Sequence, residues 1–210
     1  MELGVTELIV AVIGLISFSA FNRPDVINEF KHWPYIENRQ KQWYRFLTAG
    51  FFHAGWLHLL INVFVLWMFG SFVEDRFIAM FGSTMGSINY LLLFLSTIVA
   101  ANIPSYYRYK DIPGFSAIGA SGAVSGIVFV FILFLPWQML YLYGIIPIPG
   151  IVAGILYLYY SSWASKNSRD NIDHSAHFYG AIFGVLFTIA LKPSLLWEFL
   201  QRLVYDFPFQ

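Results

Sequence analysis

Residues 53–72 read HAGWLHLLINVFVLWMFGSF, twenty consecutive positions without a Lys, Arg, Asp or Glu. A helix rises about 1.5 Å per residue, so about 20 apolar residues match the ~30 Å hydrocarbon core of a bilayer. The stretch therefore reads as a membrane span. His53, His58 and Asn62 interrupt its apolar pattern, and polar groups are costly at such depth.

The rest of the chain has the same character. It is 58% hydrophobic, 20% aromatic and only 11% charged, with a mean hydropathy of +0.63. Soluble domains carry roughly 25% charged residues, and less than half of that cannot coat a soluble surface of this size. A net charge of zero offers no basic patch to nucleic acid. The absence of cysteine excludes disulfides and thiolate metal sites.

Six spans are predicted, at residues 8–21, 53–72, 85–103, 121–135, 148–161 and 177–191. The expected fold is an all-α polytopic membrane protein with six transmembrane helices, forming one membrane domain over residues 1–210. Residues 1–21 lack a basic n-region and a small-residue cleavage site, so the first apolar segment reads as a retained span. Residues 22–45 read as a long charged loop with Pro24 and Pro34, and residues 74–82 as a short one. Residues 104–115 form a charged connection, and 162–173 a polar one. Residues 136–149 carry no charge but hold Trp137, Tyr141 and Tyr143, a composition suited to the membrane interface. The lack of an internal repeat weighs against an inverted-repeat transporter.

Polar residues inside spans are functional candidates. Ser121 lies in Gly119-Ala120-Ser121-Gly122, at the start of the fourth span. One reading is structural: a serine bonding back to its own helix, among small residues that serve close packing. The other is chemical. The first N–H groups of a helix have no intrahelical partner, and with the positive end of the helix dipole they can stabilise a developing oxyanion. His177 begins the sixth span, three residues before Gly180, with Gly184 four further on. These glycines form a small-xxx-small face on the side of His177. The fourth span, with Gly119, Gly122 and Gly126, is the natural partner. A hydroxyl and an imidazole brought within reach make a nucleophile–base pair. His58 and Asn62, spaced i, i+4, share a helical face. They read either as an interhelical polar contact or as side-chain donors to an oxyanion. His53 is taken as interfacial, and His32 is given no role.

These motifs together resemble the rhomboid intramembrane serine proteases. Gly119-Ala120-Ser121-Gly122 is similar to their nucleophile motif, and His177-Phe178-Tyr179-Gly180 with Gly184 to their last-helix histidine motif. Residues 43–74, with His58-x-x-x-Asn62, resemble their second-helix region. The resemblance runs over about residues 43–190 in the same order. It implies a six-helix rhomboid fold and cleavage of single-span transmembrane proteins near the outer membrane boundary. It implies Ser121 as nucleophile and His177 as general base and then acid. His58, Asn62 and the Ser121 backbone N–H would bind the oxyanion. No cofactor, metal or third acidic residue is implied, and the partners are transmembrane substrates and the lipid bilayer. Many relatives place a tyrosine four residues after the nucleophile, stacked on the histidine. This chain has Ser125 there, so Ser125 Oγ or an aromatic from elsewhere is expected to take its place. Trp43-Tyr44-Arg45 resembles a family Trp-Arg element with an inserted residue, and no role is carried over to it.

Other intramembrane chemistries fit less well. No His-Glu-x-x-His metalloprotease motif occurs, and no aspartate falls inside an expected span. A metal held by His174, His177 and His53 or His58 would have no carboxylate or thiolate ligand. The rival reading is a catalytically inactive relative acting as a membrane-protein binder or degradation adaptor. Such relatives usually lose the serine or the histidine, and this chain keeps both.

The expected setting is a cell inner or plasma membrane. Six spans put both termini on one side and the starts of the fourth and sixth spans on the other. Of the 12 Lys and Arg, only Arg76, Lys192 and Arg202 fall on the terminal side. The positive-inside bias would thus put the site in the cytoplasm, whereas the resemblance implies that it faces outward. The outward orientation is adopted as the expectation.

Overall fold

The computed structural model describes residues 3–142, 144–168, 170 and 172–207; Tyr143, Arg169 and Gln210 lie outside them. Helix α1 (Val5–Ala20) is followed by two short helices, α2 (Pro24–Phe30) and α3 (Pro34–Gln40). Each short helix opens on a proline, whose fixed φ and missing N–H suit a first helical position. A single turn, α4 (Arg45–Thr48), runs into a 3₁₀ turn at Ala49–Phe51 and then into α5 (Trp56–Phe81). Next come α6 (Ser83–Tyr109), α7 (Ser121–Phe134), a hairpin of β1 (Met139–Leu142) and β2 (Ile146–Pro149), α8 (Gly150–Asn167), α9 (His174–Leu191) and α10 (Ser194–Tyr205).

The protein is mostly helical, and α5, α6 and α9 are long and apolar enough to cross a membrane. α1 and α7 are shorter apolar helices. α7 is the central element. Eleven of its fourteen residues are buried, which requires neighbours on every side, and α5, α6 and α9 supply most of them. α6 buries a regular stripe through Tyr90, Leu93, Phe94, Thr97, Ile98, Ala101, Asn102 and Ser105, the spacing of one helical face.

Several boundaries differ from the sequence-based expectation. The charged run after Phe72 does not end α5, which continues to Phe81 and stops at Gly82 with φ +80°. Pro104 does not end α6. Asn102 Nδ2 donates to the Phe46 carbonyl and Ser105 Oγ to Asp173, so tertiary bonds flank the proline and hold the helix through it. The expected loop at 22–45 contains α2 and α3, and the interfacial connection is an antiparallel hairpin that pairs Met139 with Pro149. The fold is therefore not purely α. Pro147 and Pro149 are tolerated because a two-stranded hairpin has only edge strands. α10 has no counterpart among the expected spans.

Glu74 explains why a charge belongs inside α5. It lies on the buried stripe and accepts hydrogen bonds from Val5 N–H at 2.7 Å, Thr6 N–H at 2.8 Å and Thr6 Oγ1 at 2.8 Å. These are N–H groups that the start of α1 leaves without helical partners, and the helix dipole favours a carboxylate there. Glu74→Ala leaves them buried and unpaired. We expect a loss of about 1–3 kcal/mol of stability, read as a lower Tm in detergent, with Glu74→Gln recovering part of it.

Candidate active site

The segment before α7 is not helical, so its backbone polar groups need partners within the protein. Ala117 and His32 exchange both backbone hydrogen bonds, and Gly119 N–H donates to the Ala49 carbonyl. Gly119 has φ +126°, a conformation that favours glycine, and a Cβ there would lie 2.5 Å from His58 Cε1. The chain then turns into α7 with Ser121 as its first residue.

His177 is delivered by α9. The Asp173 carboxylate caps that helix by accepting Ala176 N–H at 3.0 Å, and it also accepts Ser105 Oγ–H from α6. α7 and α9 meet glycine on glycine. A Cβ on Gly180 would collide with the Gly122 carbonyl oxygen, and one on Gly184 would lie 2.7 Å from that of Gly126. At this separation His177 Nε2 stands 2.7 Å from Ser121 Oγ. Both side chains are half-buried.

Other rings surround the imidazole. Tyr157 of α8 lies nearly parallel to it, with centroids 6.3 Å apart and planes at 20°. His174 meets it edge-on at 5.9 Å. In the α8–α9 connection, Asp170 pairs with His174 Nε2 at 3.1 Å. That hydrogen bond, helped by Ser168, holds the Asp170 carboxyl below its usual range. Ser125 Oγ donates to the Ser121 carbonyl at 2.8 Å and lies 2.6 Å from the Tyr157 hydroxyl.

His58 and Asn62 line the same cavity as Ser121 and His177. His58 abuts Gly119. Asn62 is buried, and its Nδ2 donates to the His58 carbonyl at 2.8 Å, leaving a second amide N–H for another acceptor. His53, read from the sequence as interfacial, is buried within the protein, with Nδ1 2.9 Å from Ser17 Oγ and Nε2 accepting Ala120 N–H at 3.4 Å. Ser17 gives its own hydrogen to the Phe51 carbonyl, so Nδ1 carries the imidazole hydrogen and Nε2 is free to accept. His32 is also buried, paired with Glu37 at 2.7 Å. Arg45 donates to the carbonyls of Asn28 and Lys31, tying down the segment that holds α2 and α3.

The cavity has a volume of about 1240 Å³ and runs from the site to the hairpin residues Leu140–Leu142. Its lining includes Trp56, Ile61 and Val65 of α5 and Ala153, Leu156 and Tyr160 of α8. The lining is mainly apolar around a few convergent polar groups, as binding sites generally are. Sequence reasoning missed Tyr157 and did not bring His53 to the site. Tyr157 sits among Tyr159, Tyr160 and Trp163, and nothing in the spacing singles it out. Five residues from His58, His53 would fall off the helical face of His58, but it precedes α5 and its ring lies 4.9 Å from that of His58.

The family model described as Rhomboid domain matches residues 40–194. The chain is 30% identical over 164 residues to Rhomboid-like protein 11, chloroplastic, of Arabidopsis thaliana, covering 72% of this chain and 54% of that protein. It is 27% identical over 148 residues to Rhomboid protein 1, mitochondrial, of Saccharomyces cerevisiae, covering 67% and 40%. It is 28% identical over 166 residues to Rhomboid protease GluP of Bacillus subtilis, covering 79% and 29%. The chain thus spans about half or less of the length of these relatives. Two of the names carry an organelle and lend no support to an inner or plasma membrane. The matched residues contain α5 to α9 entire, with Ser121, His177, His58 and Asn62 on them, and the chain belongs to the rhomboid family.

Proposed function

We propose that the protein is an intramembrane serine endopeptidase, a single membrane domain over residues 1–210 that cuts single-span membrane proteins near the outer boundary of an inner or plasma membrane. The observation that carries the reading is the 2.7 Å contact between Ser121 Oγ and His177 Nε2 inside a large apolar cavity. Six helices would span the bilayer: α1, α5, α6, α7, α8 and α9. α7 has 14 residues and is about 21 Å long, shorter than the ~30 Å hydrocarbon core. If such a helix reaches one boundary it starts well below the other, and Ser121 would then lie under the surface.

In the proposed reaction, His177 Nε2 takes the Ser121 hydroxyl proton as Oγ attacks the substrate carbonyl, then passes it to the leaving amine. The Ser121 backbone N–H, with side-chain N–H groups of His58 and Asn62, would hold the oxyanion. A helical substrate hides its peptide bonds, so attack requires an unwound stretch, reached between α5 and α8. Substrates weakened by Gly or Pro should be cut faster than the same spans stabilised with Leu. Equal rates would remove unwinding as a requirement.

The deciding experiment is a cleavage assay on a panel of single-span substrates with Ser121→Ala as control. Absence of cleavage and of labelling by a serine-reactive probe would favour the inactive binder or degradation adaptor. Asn62→Ala and His58→Ala are expected to lower kcat by about 10²–10³-fold with a smaller effect on KM. An unchanged kcat in both would return them to a packing role. Orientation is tested by single cysteines in this cysteine-free chain: an impermeant thiol reagent on intact cells should label position 168 and spare position 210. The opposite pattern would reverse the topology and leave the catalytic pair untouched.

A further inference from the structure

We propose that Tyr157, on α8, is the positioning residue for His177: its ring sets the plane of the imidazole, and its hydroxyl locks that ring to α7 through Ser125. The inference rests on the reading of Ser121 and His177 as a catalytic pair.

A histidine side chain has two free torsions, and proton transfer needs Nε2 aimed along the Ser121 O–H. A hydrogen bond from Nδ1 to a carboxylate is one way to hold such a base. Among the described residues no carboxylate is hydrogen-bonded to His177. Asp170 bonds His174, and Asp173 is taken up by Ser105 and Ala176. The near-parallel ring facing the imidazole is that of Tyr157, at 6.3 Å and 20°, within the range of offset aromatic stacking. His174 fits against the edge. Rings, not a carboxylate, define the orientation of this base.

The tyrosine is itself fixed. Its oxygen lies 2.6 Å from Ser125 Oγ, and Ser125 gives its single hydrogen to the Ser121 carbonyl. The phenol must therefore be the donor in the first bond. Phenol, Ser125, the nucleophile's own carbonyl and the imidazole form a closed loop between α7, α8 and α9. Gly154 lies one turn before Tyr157, on the same face of α8. A Cβ there would lie 3.2 Å from Ile132 Cδ1 and 3.5 Å from the Phe129 ring, both on α7, so the absent side chain lets α8 come close. The ring thus rides on a helix that also walls the cavity, and the base is held in plane only while α8 is seated against α7.

The ring and the hydroxyl separate experimentally. Tyr157→Phe keeps the ring and loses the bond, and kcat on a transmembrane substrate should fall by about 3–10-fold. Ser125→Ala should match it, and the double variant should be no worse than either single, because both remove one interaction. Tyr157→Leu loses ring and bond, and kcat should fall by about 10²-fold with KM nearly unchanged, the scale of a small misplacement of a catalytic group. Adding Ser125→Tyr to Tyr157→Leu puts a phenol one turn beyond Ser121 on α7 and should restore at least about tenfold, which a general folding defect would not allow. Tm in detergent is measured for each variant. The rate of fluorophosphonate labelling at Ser121 gives a second readout. If wild type is labelled and Tyr157→Leu is labelled at the same rate, Tyr157 has no positioning role. If wild type is neither labelled nor active, the catalytic pair is overturned and this role with it.

Discussion

Ser121→Ala and His177→Ala should each abolish proteolysis while the protein still inserts and folds. The hydroxyl and imidazole meet at 2.7 Å, and in the proposed reaction they act as one unit. Removing either takes away both the nucleophile's activation and the proton delivered to the leaving group, so each single loss is expected on the order of 10⁴-fold or more. The double variant should be no slower than either single, since nothing is left for the second change to remove. Folding should survive because neither side chain supplies the packing between α7 and α9; their glycines do. The check is initial cleavage rate with purified protein in bilayers, beside Tm. Ser121→Ala turning over well above background would end the assignment. Additive losses in the double variant would mean that the two residues act separately.

The membrane class was legible because charge content decides it: at 11% charged the chain has no soluble surface to present. The positions of Ser121 and His177 were legible because serine, histidine and glycine stand out against an apolar background. Their spacing to Gly122, Gly180 and Gly184 forecasts a close helix pair. Boundaries were less legible. Glu74 looks like the end of a span and is instead a buried cap for α1, contributed across 68–69 residues of sequence. Pro104 looks like a stop and is held inside α6 by bonds to Phe46 and Asp173, which local propensity cannot express. The histidines show the same limit. His53 and His32 carry no sign of depth in the sequence, yet each is almost wholly enclosed, one under Ala120 and the other against Glu37. Tyr157 could not be singled out among neighbouring tyrosines, because its place opposite His177 depends on how α8 docks through Gly154.

Gly180→Val should cost at least about 10²-fold in kcat although the side chain never touches substrate. A Cβ at position 180 would overlap the Gly122 carbonyl oxygen and lie 2.8 Å from its carbon, and both atoms are backbone, unable to turn aside. Carbon atoms in contact prefer about 3.5–4.0 Å, so α9 must move off α7 by about 1 Å. That displacement falls on the Ser121–His177 contact, one turn away. A misplacement of that size can cost 10²-fold. Gly184→Ala, whose Cβ would lie 2.7 Å from the Gly126 carbonyl oxygen, should show the same effect more weakly and serves where the valine fails to fold. Gly14→Val on α1 is the control, because nothing lies within 4 Å of its Cβ position, and it should keep nearly full activity. The measurements are kcat, KM and the distance between spin labels on α7 and α9. Wild-type kcat in folded Gly180→Val, with α7 and α9 no further apart, would show that this glycine seam does not set the geometry of the pair.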